Sequence, residues 1–146
     1  MSNIEYEIAK ERNLNATLWL ADVRKVYNKY GYDLGFKKKG KSRNFRPFII
    51  TEPCLSPTVK VIFLTTKNNA GVLCNIECTK NNCLDFYWQE KSRILTKFRN
   101  GKKPKRFFEL NKEDLNIIGK FCGLCDENYI ELIKQELINR YKKVKK

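Results

Sequence analysis

Apolar positions follow two different periods along this chain. Near the start, Ile4 and Ile8 share a helical spacing behind Ser2 and Glu5, a capping-box pattern, which predicts a short helix over residues 2–13. Asn13 and Asn15 break it. The next run, Thr17-Leu18-Trp19-Leu20-Ala21-Asp22-Val23, predicts a first strand. β-Branched and aromatic runs then predict strands at 45–51, 59–66, 72–78 and 84–95, punctuated by Pro53, Pro57, Asn68-Asn69-Ala70-Gly71 and Asn81-Asn82. Asn100-Gly101 lies between two further apolar stretches and predicts a hairpin.

Beyond residue 110 the spacing turns helical. Asn111 is expected to cap one helix with Leu115, Ile118 and Phe121 inward, and Asp126 a second with Tyr129, Ile130, Ile133, Leu137 and Tyr141 inward. Residues 24–45 are basic and aromatic, and Val23, Val26, Tyr27 and Tyr30 are spaced for a helical turn whose aromatics serve the core. Short strands with frequent turns, closed by helices, predict a mainly β α+β protein built on a small barrel. The expected organisation is one domain: an N-terminal helical extension (1–16), a barrel (17–110), C-terminal helices (111–141) and a basic tail (142–146).

Charge changes the picture from fold to partner. The chain carries 30 Lys+Arg against 16 Asp+Glu, a formal net charge of +14, which attracts nucleic acid or an anionic surface before any specific contact forms. No apolar run approaches the roughly 20 residues that span a bilayer, and no signal peptide is visible, so a soluble, cytoplasmic protein without membrane contact is expected. The cations Lys37, Lys38, Lys39, Lys41 and Arg43 are too polar a cluster to bury. They form either a loop that closes on a nucleic-acid backbone or solvated decoration.

The absence of histidine excludes Ser-His-Asp triads, Cys-His proteases and histidine-based nucleases. No GxxxxGK[ST] or GxGxxG loop occurs, so phosphate cradles of the nucleotide-binding kind are unsupported. The six cysteines are expected to be reduced thiols. Cys122-Gly-Leu-Cys125 has the spacing of half a zinc knuckle that Cys74, Cys78 and Cys83 could extend, but alternation in Val72–Cys78 equally makes cysteine a small buried hydrophobe there. The expectation is no metal and no cofactor.

Arg46-Pro47 opens one apolar strand and Thr65-Thr66-Lys67 closes the next. Adjacent strands would set a planar guanidinium beside a small hydroxyl, which suits a phosphodiester. β-Propensity alone also explains threonine in a strand, so this reading stays open on the residues themselves.

Taken in order, Trp19-Leu20-Ala21-Asp22-Val23, Arg46-Pro47 leading a strand, Ser56-Pro57-Thr58-Val59 through Leu64-Thr65, and Gln89-Glu90-Lys91-Ser92 before Ile94 resemble MazF/PemK-type toxins over residues 17–140. These are endoribonucleases of toxin–antitoxin pairs. The resemblance implies an SH3-like β-barrel with packed helices and a homodimer. It also implies an enzyme that cuts single-stranded RNA, mRNA above all, without a metal. The ribose 2′-hydroxyl attacks, leaving a 2′,3′-cyclic phosphate and a 5′-hydroxyl. Arg46 then stands at the catalytic arginine and Thr65 at the catalytic threonine. Beside them Lys37, Lys38, Lys39, Lys41, Arg43, Thr66 and Lys67 are the expected RNA contacts, the loop cations on the strength of their charge rather than of the resemblance. An acidic antitoxin is the implied partner. Gln89 and Lys91 match a strand near the dimer core and are as readily structural.

Two departures stand out. Asn15-Ala16 replaces the family's Gly-Asp before the first strand, and the loop before Arg46 is longer and far more basic. The rival reading is a non-enzymatic nucleic-acid-binding barrel. Replacing Lys37, Lys38, Lys39, Lys41 and Arg43 by Ser is expected to weaken RNA binding whatever the sequence. Binding measured across salt concentrations should lose about 0.7 from the log–log slope for each lost phosphate contact. An unchanged slope would mark the cluster as solvated decoration.

Overall fold

The computed structural model describes residues 3–32, 45–65, 77–78, 92–95 and 107–145. Helix α1 (Asn3–Glu11) is followed by strand β1 (Thr17–Asp22) and helix α2 (Val23–Tyr30). Strands β2 (Phe45–Ile50), β3 (Thr58–Thr65), β4 (Glu77–Cys78), β5 (Ser92–Leu95) and β6 (Phe108–Asn111) come next. A 3-10 turn (Lys112–Asp114), the single-turn helix α3 (Leu115–Ile118), strand β7 (Gly119–Leu124) and helix α4 (Glu127–Lys145) complete the chain. The strands form one antiparallel sheet in the order β4-β5-β3-β2-β1-β7, with β6 sharing an edge of β3 with β5.

The sheet is buried on both faces, which is why its central strands read as continuous apolar runs rather than as alternating ones. One face carries Trp19, Phe48, Phe63 and Phe108 with Val26 of α2 and Leu115 and Ile118 of α3. The other carries Leu18, Ile49, Ile62 and Leu64 under Ile130 and Ile133 of α4. On the first face the rings make an unbroken row. Tyr6 meets Phe121 with centroids 5.4 Å apart, Phe121 meets Trp19 at 5.7 Å, and Trp19 stacks on Phe48 at 6.1 Å. Phe48 then meets Phe63 at 5.6 Å, and Phe63 meets Phe108 at 5.2 Å. Phe121, Trp19, Phe48 and Phe63 are successive cross-strand partners, so the row is also the register of four strands. Thr17 satisfies the buried indole: its Oγ1 accepts from Trp19 Nε1 at 2.9 Å and donates to the Leu14 carbonyl at 2.6 Å.

Local signals explain the boundaries. Asp22 caps α2 by accepting from the amides of Arg24 and Lys25, and Gly31 at φ 75 ends it. The helix begins at Val23, so that residue leaves the predicted first strand and joins Val26 in the core. Asn13, Leu14 and Ala16 all have positive φ, and the chain turns there between α1 and β1. Ala16 is held in this costly conformation by its amide on Ile50 and its carbonyl under Cys125 N. Arg12 locks the same corner to the other face, donating to the Cys125 carbonyl at 2.9 Å and pairing with Glu127.

The C-terminal expectation needs correction. Residues 111–141 are not helices throughout: after one turn of α3 the chain runs as β7 along β1. Gly119 permits this, because a Cβ there would lie 2.9 Å from the Leu20 carbonyl oxygen and 3.4 Å from Ala21 Cα. Asn111 does not cap with its side chain. Its amide instead donates to the Tyr30 hydroxyl, which donates to Asp114; Lys29 adds an ion pair to Asp114 at 3.2 Å. Burial and the Asp114 bond push the Tyr30 hydroxyl up to about 12, and the same bond holds the Asp114 carboxyl below its ordinary range. Asp126 does cap α4, accepting from the amides of Asn128 and Tyr129.

Among the described residues β4 and β7 end the strand order and no pairing joins them, so the architecture is α+β with an antiparallel sheet. Of the predicted strands at 72–78 and 84–95, only Glu77–Cys78 and Ser92–Leu95 are described; the rest and the Asn100-Gly101 hairpin lie outside the described residues. Gly119→Ala is expected to lower stability by about 1–3 kcal/mol, because both near neighbours are backbone and cannot step aside. Urea unfolding measures it, and an unchanged midpoint would show that β7 can shift freely against β1.

Candidate active site

Arg46 sits at the second position of β2, directly across from Ala21 of β1. Its Nη1 donates to the Leu64 carbonyl of β3 at 3.0 Å, which ties the guanidinium to the neighbouring strand. The side chain is half-buried, and burial draws its pKa below the ordinary arginine range. An arginine so displaced still holds its charge at neutral pH, in surroundings where a charge acts over a longer distance than it does in water.

Phe48 pairs with Phe63, Ile49 with Ile62 and Ile50 with Val61. The ladder ends at Phe48 and Phe63, and Arg46 on β2 and Thr65 on β3 each lie two residues past that end. Thr65 pairs with Arg93 of β5, and Arg93 with Glu77 of β4. On the other side Arg46 pairs with Ala21, and Ala21 with Gly119. Both short rows lie one pleat repeat from the aromatic row of Phe121, Trp19, Phe48 and Phe63.

The two predicted catalytic positions, Arg46 and Thr65, lie toward the same end of the neighbouring strands β2 and β3, and Arg46 reaches the carbonyl of Leu64, one residue before Thr65. The predicted RNA contacts Lys37, Lys38, Lys39, Lys41, Arg43, Thr66 and Lys67 lie outside the described residues, as do Gln89 and Lys91. Sequence reasoning passed over Arg93 and Glu77. The alternation Arg93-Ile94 hinted that a polar position shares the strand, but with the partner strand some 27 residues earlier no local pattern revealed the pairing.

The thiols offer no competing centre among the described residues. Cys54 and Cys125 are buried and Cys122 is partly so. Burial pushes Cys54 up to about 11 and raises Cys122, so neither is a ready thiolate. No cluster of metal-ligating groups occurs among the described residues, and Cys74 and Cys83 lie outside them.

A half-buried charge that serves a ligand is seldom there for stability. Arg46→Met keeps the apolar stem and removes the charge. Relief of desolvation offsets the lost bond to the Leu64 carbonyl, so the expected change is within about 1 kcal/mol of the parent. Chemical denaturation is the measurement, and a loss of several kcal/mol would make Arg46 a structural residue.

Compared with known proteins, the chain matches no family model, no curated protein and no solved structure.

Proposed function

We propose that this chain is a metal-independent endoribonuclease of the MazF/PemK toxin type, cutting single-stranded RNA at Arg46 and Thr65. The observation that supports the reading is the bond from the Arg46 guanidinium to the carbonyl of Leu64, the residue before Thr65 on the neighbouring strand. In this reading the sheet supplies the strands of an SH3-like barrel.

The chemistry needs little else. The ribose 2′-oxygen forms a bond to phosphorus while the bond from phosphorus to the 5′-oxygen breaks. The proton leaves the 2′-hydroxyl, and the departing 5′-oxygen gains one, giving a 2′,3′-cyclic phosphate and a 5′-hydroxyl. Charge builds on the nonbridging oxygens as the five-coordinate state forms. Arg46, already partly desolvated, stabilises that charge, and a hydroxyl at position 65 donates to the same oxygens. The net charge of +14 brings the polyanion to the surface.

The same charge suits the proposed partner, an acidic antitoxin segment with apolar anchors that occupies the cleft of a homodimer and excludes RNA. A cytoplasmic location follows from this role.

Purified protein is expected to cut single-stranded RNA in excess EDTA. Arg46→Ala should slow cleavage by a factor on the order of a hundred or more, and Thr65→Val should slow it as well while RNA binding largely persists. A strict magnesium requirement would overturn the mechanism. RNA bound normally but never cut, by parent or variants, would favour the non-enzymatic binding module.

A further inference from the structure

Helix α2 begins two residues past Ala21, the cross-strand partner of Arg46, and buries Val23 and Val26 against the sheet face that holds Phe48. Strand alternation places Arg46, two residues before Phe48, on that same face. The exposed positions of α2 are Arg24, Lys25, Tyr27, Asn28 and Lys29, and they fall into two flanks. Lys25 and Lys29, four apart, fasten the helix to the elements beside it. Lys25 Nζ donates to the Ile117 carbonyl of α3 at 3.4 Å, and Lys29 pairs with Asp114 at 3.2 Å. Arg24, Tyr27 and Asn28, spaced i, i+3 and i+4, share the flank away from α3, where the Tyr27 ring is 38% exposed.

Helix stability does not call for this flank. The first turn of a helix favours acids and opposes cations, yet that of α2 carries Arg24 and Lys25 and no acid. Asp22 already accepts from the amides of Arg24 and Lys25, so the helix terminus is filled by the chain's own side chain and the flank is the surface on offer. A guanidinium and a ring one helical turn apart suit a single nucleic-acid strand. The fork of Arg24 matches phosphate oxygens, and an unpaired base presents a face on which a ring can stack. Duplex bases are stacked on one another, and an acidic protein segment answers the charge alone. We propose that the Arg24–Tyr27–Asn28 flank of α2 binds single-stranded RNA beside Arg46, with Arg24 on a phosphate and Tyr27 stacked on a base. The choice of RNA, and of Arg46 as the place the strand leads to, rests on the proposed nuclease reading; the surface itself does not. The ordinary alternative is a solvated helix face that adds only its share to the field of a +14 chain.

The test uses the full chain and an oligoribonucleotide with 2′-O-methyl groups throughout, which lacks the attacking hydroxyl and so cannot be cut. Anisotropy titrations across salt concentrations compare the parent with Arg24→Gln, Tyr27→Leu, Tyr27→Phe and Lys60→Gln, with thermal melts run alongside. Lys60 is also exposed, and its carbonyl accepts from Thr51, beyond the end of β2 remote from Arg46, so Lys60→Gln removes an equal charge elsewhere. Arg24→Gln is expected to weaken binding about fivefold and to lower the log–log salt slope by about 0.7, while Lys60→Gln keeps the parent's slope. Tyr27→Leu should weaken binding roughly tenfold at an unchanged slope, and Tyr27→Phe should bind as the parent does. An unchanged slope for Arg24→Gln would overturn the proposal, and so would an equal fall for Lys60→Gln, the mark of a general field. A stable Tyr27→Leu variant that binds like the parent would overturn the stacked single strand. If that variant melts below the assay temperature, the comparison of Arg24 with Lys60 decides. If the parent never cuts unmodified RNA yet the Arg24 and Tyr27 effects appear, the nuclease reading fails and the flank stands. If the parent cuts and these variants bind as it does, the flank alone fails.

Discussion

The aromatic row from Phe121 through Trp19 and Phe48 to Phe63 is the constraint on which the rest depends. Each ring removes on the order of 150–250 Å² from water, and pairs of rings add about 0.5–1.5 kcal/mol beyond that burial. The energy of any one pair matters less than what the set forbids. A slip of one residue in any of these strands would carry its ring to the opposite face, into the Leu18, Ile49 and Ile62 layer under α4. Register is therefore specified strongly at the aromatic row, two residues from Arg46 on β2 and from Thr65 on β3.

The two rows divide the labour. Small residues begin the second one, Gly119 and Ala21, and allow β7 to lie close to β1. Toward the other edge of the sheet, Thr65, Arg93 and Glu77 are successive cross-strand partners on β3, β5 and β4. A guanidinium placed among half-buried neighbours costs desolvation that a sheet has no structural need to bear. Hydrogen bonding to the Leu64 carbonyl offsets part of that cost and holds the group in one place.

Elsewhere the polar groups that look chemical are fasteners. Tyr30, Asp114, Asn111 and Lys29 join the end of α2 to the turn after β6. Tyr30 also stacks on Tyr32 at 5.5 Å, and Tyr32 meets Phe108 at 5.2 Å, so the clamp is continuous with the aromatic row. Arg12, in turn, fixes the opposite corner through Cys125 and Glu127. These side chains thus fasten α2 and the turn after α1 to the rest of the fold.

Hydrophobic period and capping residues determined by themselves where most elements begin. The strand starts near Thr17, Phe45 and Thr58 and the α4 cap at Asp126 were all legible, because each rests on residues adjacent in the chain. Only the tertiary structure decided that residues 119–124 extend beside β1. Lys120–Leu124 has no decisive period, and Gly119 becomes informative only with Leu20 and Ala21 pressed against it. Pairing was likewise a tertiary decision. Nothing local says that Thr65 meets Arg93 or that Arg93 meets Glu77, since those contacts arise from packing distant strands around a shared core. Local pattern reports the propensity of a segment, but register is settled by which side chains fill the same space, and that competition exists only once the chain has folded.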